Sequence, residues 1–211
     1  DNEDGSNGAI TLTNGSNVFT GTVTFTTASG SDVSITDTTA FDLVALTANS
    51  LTASAGGALT DSGTLAITGL ADLSGSTITI NDSFDAGTLT FNSAGAVTIS
   101  ENSDSGLAGT STALSLDLDS TGAITDADTA SLTVTNLADL AGTSITLGDH
   151  ASTDTLNAGT LTFNSAGAVT ISENSDTGLA GASTALSLDL DSTGAITDAA
   201  TCLLYTSDAA D

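Results

Sequence analysis

The sequence predicts an all-β protein that folds as a parallel β-helix (β-solenoid), right-handed, with roughly 18–24 residues in each turn of the coil. Three observations support this prediction. Short runs alternate apolar and polar residues along the whole chain, near-identical blocks of sequence recur, and aromatic residues make up only 3% of the chain. We expect residues 1–201 to form a single solenoid segment.

The alternating runs have the period of two that is typical of a strand with one buried face. Such runs occupy residues 10–13, 22–25, 33–36, 65–68, 77–80, 88–91, 97–100, 114–119, 132–135 and 145–147. Clusters of Gly, Asn, Asp and Ser separate them, which indicates turns. Proline is absent, which is consistent with uninterrupted ladders of hydrogen bonds between strands.

Internal repeats favour a solenoid over other all-β folds. Residues 86–129 recur at 158–201 with three differences in 44 positions, a period of 72. More diverged matches, residues 71–80 with 138–147 and Gly21 with Gly87, have offsets of 67 and 66. We therefore expect copies near 21–86, 87–158 and 159–201, with insertions in the turns. The Trp-Asp signature of propellers is missing, and an immunoglobulin-type array would repeat at about 100 residues.

The interior is expected to be a stack of small and medium apolar side chains with a few aromatic rings. Val, Ile, Leu and Ala supply most of the apolar residues, and we expect Phe25, Phe91 and Phe163 to stack within this core.

The repeat ends after Thr201, where the chain continues CLLYTSDAAD instead of the expected strand. This stretch resembles the conceptual translation of a transposase-type sequencing-library adapter. We therefore expect residues 202–211 to be a non-native tail on an internal fragment of metagenomic origin. If Cys202 is discounted, the native part has no cysteine and no disulfide framework.

The charge balance excludes several classes of partner. Asp and Glu number 26, Lys and Arg are absent, and the formal net charge is −26. Nucleic acids and anionic membrane surfaces are bound chiefly through Lys and Arg, so neither is an expected partner. No apolar run is long enough for a transmembrane helix, and no ion pair with Lys or Arg can form.

The strand repeats also resemble those of a known group of proteins. GAITLTNGSNVFTGTVTF (residues 8–25) and LTASAGGALTDSGTLAITG (residues 51–69) are similar to the β-strand repeats of filamentous-haemagglutinin-type bacterial adhesins. The resemblance implies a non-catalytic stalk at the bacterial cell surface or outside the cell. Host cells, polysaccharides or further copies of the chain are the implied partners, and uncapped solenoid ends predict end-to-end association.

One acidic segment has the spacing of a calcium-binding loop. Asp117, Asp119 and Asp128 occupy positions 1, 3 and 12 of an EF-hand-like pattern with Gly122 at position 6, and Asp126 lies nearby. These four aspartates are the candidate Ca²⁺ ligands, and no other cofactor is predicted. In the second copy Ala200 replaces the last ligand.

The alternative interpretation is that this segment is an ordinary strand. Leu114, Leu116 and Leu118 would then point inward, while Asp117 and Asp119 face solvent.

Two further features have a functional and a structural interpretation. Thr-x-Thr pairs could form a flat ice-binding face, or they could be good strand formers on an exposed face; they lie at 22/24, 77/79, 88/90, 133/135 and 160/162. His150 is the single histidine, and we expect an exposed turn residue there and no catalytic base.

Overall fold

The computed structural model describes residues 8–27, 30–150 and 153–206. All regular structure in these ranges is β, with 22 strands in one continuous sheet that coils on itself through about 10 turns. The strand pairings are parallel, as in a solenoid in which each turn lies on the one before. The predicted all-β parallel β-helix is confirmed. No helix of the described residues is long and apolar enough to cross a membrane.

The strands are short except where one runs through a corner of the coil. The first half contains β1 (Ile10–Leu12), β2 (Asp32–Asp37), β3 (Phe41–Leu43), β4 (Leu46–Ala48), β5 (Ser50–Ala55), β6 (Ala58–Asp61), β7 (Thr64–Gly75), β8 (Thr77–Ser93), β9 (Ala96–Glu101), β10 (Ser105–Leu107) and β11 (Thr110–Ala113). The second half contains β12 (Ser115–Ser120), β13 (Ile124–Asp126), β14 (Ser131–Gly142), β15 (Ile145–Leu147), β16 (Thr155–Ser165), β17 (Ala168–Glu173), β18 (Thr177–Leu179), β19 (Ala182–Ala185), β20 (Ser187–Ser192), β21 (Ile196–Asp198) and β22 (Leu203–Thr206).

Residues that pair from turn to turn form columns along the coil. The longest buried column, called here the Val97 column, consists of Phe41, Leu59, Ile78, Val97, Leu116, Ala138, Leu161 and Leu179. The offset between paired residues ranges from 17, between Phe84 and Glu101, to 24, as between Ile145 and Val169, and every pairing except that of Phe84 with Glu101 lies between 18 and 24. The predicted turn length is therefore confirmed.

The 72-residue repeat does not match a whole number of turns. Leu89 belongs to the column of Leu51 and Ala71, whereas its counterpart Leu161 belongs to the Val97 column. Val169, the counterpart of Val97, pairs instead with Ile145 in the preceding turn. Three successive pairings, each one turn of the coil, connect Val97 to Leu161. Val169 follows Leu161 in the chain and lies on the next side of the coil. One repeat therefore covers three turns plus one side of the coil, and equivalent residues lie on neighbouring sides.

This rotation corrects the expected stacking of phenylalanines. Phe25, Phe91 and Phe163 are all buried, as predicted. However, Phe91 pairs with Leu73 and Phe163 pairs with Leu140, in different columns. The phenylalanines are therefore distributed around the core and do not form one stack.

Two local predictions are wrong at the edges of strands. Residues 22–25 do not form a strand, although Phe25 is buried; they belong to the first described turn, and among the described residues a neighbouring turn lies on one side of them only. Leu114 is 42% exposed because it lies in the corner before β12, where the inward–outward alternation is interrupted. Leu116 and Leu118 point inward, as expected.

Glycines occupy the positions where one turn bulges against the next. The pairing of β14 with β16 shifts register between Val134 and Leu137, and Gly159 lies directly beside the extra residues. A Cβ atom at Gly159 would overlap the carbonyl oxygen of Thr135, and one at Gly87 would overlap that of Thr68. The glycine of the Ala-Gly-Thr sequence that recurs in the repeats is therefore required by backbone packing.

Two glutamates lie inside the solenoid rather than on its surface. Glu101 is 2% exposed and accepts hydrogen bonds from Ala86 N–H (2.9 Å) and Ser105 Oγ (2.7 Å). Glu173, its counterpart, accepts hydrogen bonds from Ala158 N–H (2.6 Å) and the Ser175 hydroxyl (3.1 Å). Burial raises the pKa of Glu101, with the hydrogen bonds acting in the opposite direction. These side chains bind one turn of the coil to the preceding turn.

The last described turn ends in exposed apolar residues. β22 pairs with β19, so residues 203–206 of the predicted tail add one more strand to the coil; their predicted non-native origin stays a prediction. Ile196, Leu203 and Tyr205 are each more than half exposed, since no later turn lies on them among the described residues.

Candidate cation-binding site

The structure brings carboxylates and the single histidine together at one corner of the coil. β13 and β15 stack in parallel, with Thr125 paired to Thr146, and this places Asp126 at the end of its strand beside Gly148. Gly148 has a φ of 70°, a conformation that favours glycine, and it turns the chain into the segment that contains Asp149, His150 and Asp154.

Only one of the two carboxylate oxygens of Asp126 has a hydrogen-bond partner. Its Oδ2 accepts the N–H of Gly148 at 3.0 Å, but its Oδ1 is buried and has no hydrogen-bond partner. Burial raises the pKa of Asp126 to about 6, and repulsion by Asp154 and Asp149 acts in the same direction.

Asp154 is the most buried member of the cluster. The residue is 2% exposed, and Oδ2 accepts the backbone N–H of His150 at 3.2 Å. Oδ1 is buried without a hydrogen-bond partner. A carboxylate in such surroundings is strongly destabilising unless a proton or a cation compensates its charge.

Carboxylates approach both nitrogens of the imidazole ring. His150 Nδ1 lies 2.9 Å from Asp149 Oδ1 and 3.9 Å from Asp154 Oδ2, and Nε2 lies 3.3 Å from Asp128 Oδ1. Desolvation lowers the pKa of His150, but the three carboxylates outweigh it and raise the pKa overall. The expected exposed turn position is confirmed, since the side chain is 47% exposed. When its imidazole ring is protonated, His150 forms ion pairs with Asp128 and Asp149.

The four predicted Ca²⁺ ligands are divided between two sides of the coil. Asp126 and Asp128 join the His150 cluster, whereas Asp117 and Asp119 point outward from β12. Asp117 pairs with Thr98 on one side and with Asp139 on the other, and burial followed by the charge of Asp119 raises its pKa. The EF-hand-like spacing therefore does not bring the four aspartates together in one loop.

Neither Asp149 nor Asp154 was predicted from the sequence as a site residue, and His150 was predicted only as an exposed turn residue. A signal was present in the repeat offsets, which change from 67 before residue 148 to 72 after residue 157. Five residues are thus inserted in this corner relative to the earlier copy. The insertion contains His150, and it lies where the coil needs its longest offset of 24 residues.

The Thr-x-Thr pairs do not form one flat rank. The pair 77/79 is stacked between residues 58/60 and 96/98, each of which is Ala-x-Thr. The pair 88/90 lies against Leu70 and Asp72, and the pair 160/162 lies against Leu137 and Asp139. Among these strands, no Thr-x-Thr pair stacks on another, so a regular ice-binding array is not assembled.

One comparison with known proteins gives a match. Residues 30–90 match the model of a family described as repeats of unknown function (DUF5649). The matched segment begins just before β2 and ends within β8, so it spans three turns of the coil. No curated protein and no solved structure matches the chain.

Proposed function

We propose that this chain is a non-catalytic structural stalk segment of a secreted or cell-surface bacterial adhesin-like protein. The observation that carries the proposal is the uninterrupted core and ladder over about 10 turns. With strands about 4.8 Å apart, ten turns give a rod roughly 45–50 Å long. The match to a family of repeats is consistent with a segment that is extended by adding turns.

The surface chemistry supports a rod that stays separate from its neighbours. Most acidic side chains point away from the core, and the formal net charge is −26. Like charges of this density repel other rods and keep them in solution. Each turn contacts only the turns next to it, so stiffness comes from the ladders and from the apolar columns within.

Lengthening the repeat tests the structural part of the proposal. Inserting a second copy of residues 87–158 adds three turns plus one side, which should lengthen the rod by about 16 Å without widening it. Small-angle X-ray scattering measures both dimensions. An increase in cross-section, or a flexible second body, would refute the stalk model.

Location is tested separately. Antibodies raised against residues 8–201 should label intact cells of the source organism or its culture supernatant. Labelling that requires permeabilised cells would contradict the surface or extracellular assignment.

Self-association is the partner interaction that we propose from the exposed end. The exposed Ile196, Leu203 and Tyr205 lie on or beside β20, β21 and β22, each of which pairs on one side only among the described residues. We expect sedimentation velocity to show oligomers that increase with protein concentration. A monomer at all concentrations would exclude it. Contacts with host cells or polysaccharides stay predictions of the adhesin resemblance.

A further inference from the structure

We propose that Asp149, His150 and Asp154 form a binding site for a divalent transition-metal ion of the Zn²⁺ class. The stalk function does not require this site, and the site does not require the stalk function. One ligand atom from each of the three residues lies within 4.8 Å of the other two.

The distances fit a metal centre with little rearrangement. Ligand atoms about 2.1 Å from a tetrahedral zinc ion are about 3.4 Å from one another. Nδ1 of His150 lies 2.9 Å from Asp149 Oδ1 and 3.9 Å from Asp154 Oδ2, which brackets that separation.

The buried Asp154 is independent evidence that a cation belongs here. Its side chain is 0% exposed, and Oδ1 has no hydrogen-bond partner. The unpartnered, buried Oδ1 of Asp126 lies in the same corner. The sequence contains no Lys or Arg that could compensate these carboxylates. A divalent ion held by Asp154 and its neighbours compensates the charge of this buried carboxylate, which a hydrogen bond to a single donor cannot do.

The imidazole selects the class of ion. Ca²⁺ prefers six to eight oxygen ligands, whereas a neutral imidazole nitrogen together with carboxylates suits Zn²⁺ and its neighbours in the first transition row. Asp128 lies 3.3 Å from Nε2. It would therefore accept the Nε2 proton and leave the Nδ1 lone pair directed at the metal, the arrangement found around metal-bound histidines. Asp128 is then an orienting residue and not a ligand.

The corresponding corner of the earlier copy is a natural control, because it lacks the inserted residues. There Asp61 ends its strand as Asp126 does, but both of its oxygens are used: Oδ1 accepts the N–H of Asn81 at 2.9 Å and Oδ2 that of Asp82 at 3.3 Å. The insertion removes the second donor and supplies His150 and Asp154 in its place.

Isothermal titration calorimetry of the metal-free chain with ZnCl₂ tests the proposal. We expect one saturable site, with affinity reduced at least tenfold in His150→Gln and in Asp154→Asn, and about tenfold in Asp128→Asn. Asp61→Asn and Cys202→Ser should bind as the parent does, since Asp61 lies outside the site and Cys202 is the only thiol. Because His150 is exposed, its variant should fold even if Asp154→Asn does not.

The single histidine also gives a direct spectroscopic readout. In long-range ¹H–¹⁵N spectra, Zn²⁺ should shift the Nδ1 resonance of His150, and an excess of Ca²⁺ should not displace it. Three results would each overturn the proposal: no saturable binding up to about 1 mM Zn²⁺, unchanged affinity in His150→Gln, or displacement by Ca²⁺.

Discussion

Replacing Glu101 with alanine removes the acceptor for two donors inside the coil. Ala86 N–H and the Ser105 hydroxyl both donate to this carboxylate, which is 2% exposed. A buried donor without a partner costs about 1–3 kcal/mol, and a hydroxyl that can rotate lies at the lower end of that range. The expected loss is about 2–4 kcal/mol, or a melting temperature lower by roughly 5–15 °C for a chain of this size.

Circular dichroism melts at neutral pH measure this loss. Glu101→Gln keeps a carbonyl oxygen for Ala86 N–H and should melt within a few degrees of the parent, since it also removes a buried charge. Asp119→Ala, on the exposed face of β12, is the control for loss of an acidic side chain. If Glu101→Ala melts with the parent, or if the glutamine variant loses as much as the alanine variant, the acceptor role assigned to Glu101 is refuted.

Three other substitutions or conditions can be tested in the same melts. Gly159→Ala should lower the melting temperature because its Cβ overlaps the Thr135 carbonyl, whereas Gly21→Ala, with open space around it, should not. Phe163→Ala should cost about 3–5 kcal/mol through the cavity it leaves, since the ring is 0% exposed; a loss below about 1 kcal/mol would contradict tight packing there. Burial raises the pKa of Asp126 to about 6, above its unfolded value of about 4, so its contribution to stability is full below the unfolded pKa and is lost as the pH rises through about 6. The melting temperature should therefore rise from pH 7 to pH 5.5 at constant ionic strength, and a fall would contradict the assigned direction.

Most of the fold could be predicted from the sequence because its causes are local and periodic. Alternation along residues 77–80 and 97–100 determines which side chains point inward, and the turn clusters between them set the length of each turn. The prediction failed where alternation meets a corner, as at Leu114, or where the described residues provide a neighbouring turn on one side only, as at residues 22–25. In both places the outcome depends on which residues lie in the next turn.

The candidate site was predicted less well for a related reason. Spacing along the chain suggested that Asp117 and Asp126 share a loop, yet the coil places them on different sides. Asp126 instead meets the following turn, where Gly148, 22 positions later in the chain, donates its N–H to the carboxylate. Turn length at that corner is set by the five-residue insertion, so the site could be located only after the register of the strands was known.

The mismatch between the repeat and the coil affects how the surface can evolve. Because one 72-residue copy covers three turns plus one side, each new duplication shifts every inherited surface residue by one third of the circumference. A group of residues such as the His150 cluster would therefore recur along a shallow spiral and return to the same side only after three duplications. Selection on one repeat thus acts on all sides of the rod, and a binding face confined to one side requires changes in individual copies.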